Sequence, residues 1–133
     1  MTMTNDHDQK QDPYGFRFRD WDIYQDSLSY RQEIYKLSEI FPKEELHALT
    51  DQIRRAVNSI ILNIAEGSNK SSDKDSRLYI NRAHCSLDEV VACLDCALKS
   101  NYITLAAHHQ LLLKAASIAK RLRAFSDHLQ HQI

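Results

Sequence analysis

Two glycines and two prolines are all that 133 residues contain. A turn-rich β fold needs such residues at its corners, so their scarcity argues against one and for long uninterrupted helices. Charge of one sign is lacking too: 17 basic residues stand against 18 acidic ones, a formal net charge of -1. That balance supplies no global attraction to nucleic acid or to an anionic membrane, although it says nothing of local patches. No apolar run approaches the ~20 residues that span a bilayer, so no membrane partner is expected. The segment Met1 to Pro13 is polar and carries Asp6, Asp8 and Asp12. With neither a basic stretch nor an apolar core it does not read as a secretory signal, and the expected location is the cytoplasm. Three cysteines, Cys85, Cys93 and Cys96, make an odd number that favours free thiols.

What remains is helical periodicity. Residues 1–18 are expected to form a flexible tail whose aromatic end, Tyr14-Gly15-Phe16-Arg17-Phe18, docks on the body. Residues 19–130 are expected to fold as one domain. Its first helix should run from Trp21 to Phe41, started by Asp20 or Asp22 and stopped by Pro42. Tyr24, Leu28, Arg31, Tyr35 and Ser38 mark its inner stripe, widened by Ile34, Leu37 and Phe41. A second helix over Lys43–Glu66 carries the seam Leu46, Leu49, Ile53, Ala56, Ile60 and Asn63, with Gly67 suited to a left-handed stop. The third, capped by Ser72, runs to Asn101 on Ile80, Ala83, Leu87, Val90, Leu94, Ala97 and Asn101. The fourth spans Thr104–Leu129 on Leu105, His108, Leu112, Ala115, Ala119, Leu122, Ser126 and Leu129. Four such seams joined by short turns predict an all-α, antiparallel up-down-up-down four-helix bundle. Tyr30, Tyr79, Ala106, Ala107 and Ala116 fall outside the seams, as surface for oligomer contacts would.

Polar residues gather beside the seams. Arg55, Ser59, Asn63 and Glu66 form one stripe on the second helix, and Arg82, Ser86 and Glu89 another on the third. An antiparallel hairpin should bring Glu66 toward Arg82 and Asn63 toward Ser86. The expected role is a polar network that fixes register or oligomer state, with a ligand site as the alternative. A catalytic pair of Glu66 and Glu89 is disfavoured, because neighbouring arginines would keep both carboxylates ionised. Among the cations, Arg54, Lys70, Lys74 and Arg77 are expected at one end of that hairpin, while Arg121 and Arg123 lie on the fourth helix. These are the candidate nucleic-acid contacts, through phosphates rather than bases. Cys93 and Cys96 have CxxC spacing mid-helix, where metal binding would need ligands such as His84, Cys85, His108 or His109 from elsewhere. Packing is the simpler role, and no metal, cofactor or catalytic residue is assigned.

Certain segments also carry a resemblance. Phe41-Pro42-Lys43-Glu44-Glu45-Leu46, Gln52-Ile53-Arg54-Arg55-Ala56, Ser59-Ile60 and Asn63-Ile64-Ala65-Glu66-Gly67-Ser68 occur in order, followed by Ala83-His84-Cys85-Ser86-Leu87-Asp88-Glu89. Over about residues 16 to 125 this resembles the bacterial four-helix-bundle proteins known as 23S rRNA intervening-sequence proteins. Asn58, His84 and Cys85 depart from the small residues usual there, and Cys93 and Cys96 are not features of that family. The resemblance implies a four-helix bundle without enzymatic activity and, from related proteins, assembly as a homopentamer. A distant relative, the accessory variability determinant of diversity-generating retroelements, is a pentamer that binds reverse transcriptase and RNA. The expected function is therefore a non-enzymatic scaffold, with RNA or ribonucleoprotein binding as the alternative.

Overall fold

A computed structural model describes residues 12–130, without the side chains of Leu129 and Gln130. Residues 1–11 of the expected tail, and Leu129 of the fourth seam, lie outside what is described. Four helices follow one another: α1 Asp22–Ser38, α2 Leu49–Gly67, α3 Asp73–Lys99 and α4 Leu105–Gln130, with short 3-10 turns at Arg17–Asp20 and Lys43–Glu45. No strand occurs among the described residues.

Hydrogen bonds and ion pairs across each interface give the directions. Arg31 meets Asn58 and Ser38 meets Arg54, so α1 and α2 are antiparallel. Gln52 meets Glu89 and Ser59 meets Ser86 between α2 and α3. Asn81 meets Ser126, His84 meets Arg123 and Asp95 meets His108 between α3 and α4. Asp26 with Arg121 and Glu33 with Lys114 close the ring between α4 and α1. The result is the expected up-down-up-down bundle, with α2–α3 the most extensive interface and α1–α4 the slightest.

Three of the four helices begin close to their predicted starts, and at two of them capping explains why. Ser72 accepts from the backbone N–H of Asp75 at 3.1 Å, and Thr104 from that of Ala107 at 3.1 Å. At α1 neither aspartate caps: Trp21 holds the N-cap position, and Asp20 instead accepts from the backbone N–H of Asp12. The second helix is where continuity fails. After Pro42 the chain makes only a 3-10 turn, and α2 starts at Leu49, whose N–H bonds to the Glu45 carboxylate at 3.2 Å. Leu46, expected in the seam, is 53% exposed.

Gly67 is not the left-handed stop. It remains helical, and its lack of a side chain admits α3: a Cβ there would sit 3.1 Å from the Tyr79 Cβ and 3.3 Å from the Ser76 carbonyl oxygen. The left-handed residue is Asn101, with φ 61°. Asn101 N–H bonds to the Leu98 carbonyl and Tyr102 N–H to the Ala97 carbonyl, the paired closure of a helix C-terminus. Asn101 is thus a cap rather than a seam residue, and Leu105 beyond it faces out. The turn is tied across the bundle end by the Tyr102 hydroxyl, which donates to Glu45 at 2.7 Å.

The core face of α1 differs from the predicted stripe. Ile23, Ser27, Tyr30, Ile34 and Ser38 are buried, whereas Tyr24, Leu28, Arg31 and Tyr35 flank them half-buried. Small hydroxyl residues sit inside because they let the helices approach. Tyr30, assigned to the surface by its sequence position, is fully buried with its hydroxyl donating to the Leu111 carbonyl at 3.1 Å. Such a partner is what makes burying a phenol tolerable. Isoleucines fill much of the remaining core, including Ile53, Ile60, Ile64 and Ile80, with Leu87, Val90, Leu94 and Leu122 opposite.

Candidate functional site

Halfway along the α2–α3 hairpin, Ser86 donates to the Ser59 hydroxyl at 2.8 Å. The Asn63 amide donates to the Ser59 carbonyl at 2.8 Å and to its hydroxyl at 3.0 Å. Asn63 and Ser86 therefore meet through Ser59 rather than directly. Toward the hairpin's open end the Gln52 amide donates to Glu89, and Arg55 pairs with Asp51 on its own helix. Toward the loop, Glu66 forms no ion pair with Arg82 among the described residues. Arg82 instead lies over the Tyr79 ring, 4.7 Å from its centroid. The two carboxylates considered as a pair, Glu66 and Glu89, stand at different levels of the hairpin. Gly67 packs on Tyr79, so about ten residues, or about 15 Å of helix, separate them.

The candidate nucleic-acid contacts divide into three groups. Lys70 lies 4.3 Å over the same Tyr79 ring that Arg82 covers. Lys74 and Arg77 border a shallow groove beside Leu78 and Asn81 on the first turns of α3. These are at the loop end, as expected, but Arg54 is not. About 20 Å of helix separates it from Gly67, and it faces α1, donating to the Ser38 hydroxyl at 2.8 Å. On α4, Arg121 pairs with Asp26, and Arg123 donates to His84 at 3.2 Å. Arg121 is thereby committed to closing the bundle.

Two cation–tyrosine clusters emerge that no single stretch of sequence reveals. One is Lys70, Tyr79 and Arg82. In the other, Arg31 and Arg54 both lie over Tyr35, 4.0 and 4.7 Å from the ring centroid. Asn58 locks this second cluster, accepting from Arg31 Nε at 2.6 Å and donating to the Tyr35 hydroxyl at 2.8 Å. Each tyrosine and cation was visible in the sequence, but their convergence depends on the register of α1 against α2.

Near the chain's first described residues, Arg17 donates to the Ser68 carbonyl at 2.8 Å. Phe16, Arg17 and Phe18 then enclose, with Glu66 and Lys70, an open cavity of about 590 Å³. A second apolar groove of about 430 Å³ lies between α1 and α4, lined by Leu37, Ile40, Ala107 and Leu111. On the outer side of α4, Ala106, His109, Leu113, Ala116 and Lys120 recur at alternating spacings of three and four, all exposed. Leu105 and Leu113 are 70% and 55% exposed.

Cys93 is buried, and burial pushes its thiol up to about 11, with Glu89 and Cys96 adding to the effect. Cys85 and Cys96 are exposed. Among the described residues, no three His, Cys, Asp or Glu side chains stand together as metal ligands would. No described helix is long and apolar enough to cross a membrane.

No curated protein matches the chain. Among solved structures, the chain is similar to a Bacteroides thetaiotaomicron protein of unknown function from the S23 ribosomal protein family. The TM-score is 0.72 at 24% sequence identity, covering 78% of this chain and 97% of that one. At that identity the likeness establishes a shared fold. The 23S rRNA-intervening sequence protein family matches residues 19–124, which spans all of α1, α2 and α3 and most of α4. The chain belongs to the 23S rRNA-intervening sequence protein family.

Proposed function

We propose that this protein is a non-enzymatic, cytoplasmic scaffold that works as a homo-oligomer. The observation that carries the reading is the outer face of α4. A helix that serves only one core needs one apolar seam. This one has a buried seam of Leu111, Ala115, Ile118 and Leu122. Its outer face carries a second, exposed stripe of Ala106, His109, Leu113, Ala116 and Lys120, apolar at Ala106, Leu113 and Ala116, with Leu105 beside it. Spacings of three and four along an uncovered stripe are what helix–helix packing between subunits uses. Small alanines there would allow close approach. A separate apolar groove containing Ile40 lies along the neighbouring α1–α4 edge. Five subunits in a ring is the stoichiometry that the resemblance to related proteins implies.

Introducing charge on this face tests it directly. Leu105→Glu with Leu113→Glu leaves the core untouched, so folding should change by no more than about 0.5 kcal/mol per site. The expected result is an oligomer in the unaltered protein and a 15.5 kDa monomer in the variant, with equal helical circular dichroism. Unchanged mass in the variant would remove α4 from the interface.

A second reading has its own observation. Lys70, Lys74, Arg77 and Arg82 gather at the loop end of α2–α3, and none forms an ion pair with a carboxylate among the described residues. Cations gathered at one end, with Glu66 and Asp75 beside them, favour phosphate contact, so RNA or a ribonucleoprotein, such as one containing a reverse transcriptase, is the partner under this reading. Filter binding across a salt series should then show a steep loss of affinity. Binding absent at low salt would contradict it.

A further inference from the structure

We propose that Arg31 and Arg54, held over the Tyr35 ring, form a binding site for a phosphate group on the α1–α2 face. The inference does not depend on self-assembly, and it concerns residues remote from the loop-end cations. Both guanidinium carbons lie within 5 Å of one ring centroid, at 4.0 and 4.7 Å. They are thus no more than about 9 Å apart, which is about one Debye length in physiological salt. Their mutual repulsion is therefore not screened away. Neither arginine forms an ion pair with a carboxylate among the described residues; the nearby Asp51 is taken by Arg55. Two like charges brought together without a neutralising acid leave a local surplus that an anion would offset.

Orientation adds the specificity. Arg31 Nε is committed to Asn58 at 2.6 Å and its Nη1 to Gln32 at 2.8 Å. Arg54 Nε is committed to the Ser38 hydroxyl at 2.8 Å and its Nη2 to the Tyr35 carbonyl at 3.4 Å. Arg31 Nη2 and Arg54 Nη1 remain without a protein partner among the described residues. The bonds already made fix both side chains, so little rotamer freedom is left to lose on binding. Each free Nη can donate a charge-assisted bond of about 2.8 Å to a phosphate oxygen. The Tyr79 cluster offers less, because Lys70 shares its cavity with the Glu66 carboxylate.

A free anion and a nucleic acid both carry such a phosphate, so both are tested on the full chain. Pyrophosphate, and separately a short 5′-phosphorylated single-stranded RNA, are titrated by calorimetry at low salt into the unaltered protein and three variants. Arg31→Gln should weaken binding about tenfold or more. Arg31→Lys, which keeps the charge but loses the fork, should also weaken it. Arg55→Gln removes the same charge from an exposed arginine paired with Asp51 and should change binding by less than about twofold. Pyrophosphate binding with this pattern assigns a free anion. RNA binding alone with this pattern assigns a phosphodiester or terminal phosphate. Equal losses for Arg31→Gln and Arg55→Gln, or no binding of either probe by the unaltered protein, would overturn the proposal.

Discussion

Gly67→Ala puts two opposing effects against each other, and the structure decides the sign. Gly67 is the last residue of α2 and is fully helical. On propensity alone, alanine should stabilise that position by up to ~1 kcal/mol, and by less at a helix end. Packing opposes it. The added Cβ would stand 3.1 Å from the Tyr79 Cβ, 3.3 Å from the Ser76 carbonyl oxygen and 3.5 Å from the Ile80 Cδ1. Optimal carbon–carbon contact is about 3.5–4.0 Å. A Cβ and a backbone oxygen cannot swing aside as a long side chain would, so α3 must retreat by a few tenths of an ångström. That would loosen the largest interface in the bundle. Overpacking of this kind costs about 1–3 kcal/mol. The expected net effect is a loss of about 1 kcal/mol, and a fall in Tm of about 3–6 °C for a domain of this size. Urea and thermal unfolding followed by circular dichroism measure it, with Gly67→Val expected to cost more. A Gly67→Ala protein as stable as the original, or more so, would refute the close approach of α2 and α3 and leave helix propensity as the governing term.

Other expectations test separate parts of the structure. Tyr30→Phe removes the buried bond to Leu111 without opening a large cavity, and should lower stability by about 1 kcal/mol in the same assays. Native protein should offer Cys85 and Cys96 to a thiol reagent at pH 8 and protect Cys93 until unfolding, as read by mass spectrometry. The raised Cys93 pKa also has a stability consequence. The unfolded chain releases the thiol proton near its ordinary value of 9.0, while the folded chain holds it to about 11. The folded state is therefore favoured fully below that ordinary value, and stability falls as pH rises through the interval. Cys93→Ala should flatten the decline, and an identical pH profile would show that the thiol does not contribute.

Much of the fold was legible because helical periodicity survives locally. The seams of α3 and the centre of α2 are buried as their spacing implied, and Ser72 caps as its position implied. What was not legible depended on long-range contact. A glycine after a periodic run reads as a stop, and only the proximity of Tyr79 shows that Gly67 is a packing residue. The core face of α1 is displaced from the stripe of its larger residues, because Ser27 looks polar in isolation yet sits between helices, whereas Ser38 is buried as the stripe implied. The break before α2 has a different cause: 3-10 turns are frequent at α-helix N-termini, and Glu44 and Glu45, which suit a helical first turn, sit in one here. Among the site residues, Ser59, Asn63 and Ser86 converge as a polar network, since their spacing along two antiparallel helices already encoded it. Glu66, Arg55 and Arg82 do not join it. Arg55 and Arg82 reach partners on their own helix and Glu66 lines the loop cavity, which a helical wheel does not resolve.

Under the proposed function, the outer stripe of α4 packs against another copy of the chain. Light scattering coupled to size exclusion on the full chain tests it most directly. The expected result is a single species at a multiple of 15.5 kDa, five subunits for the ring. A species of 15.5 kDa persisting as the concentration is raised would contradict it.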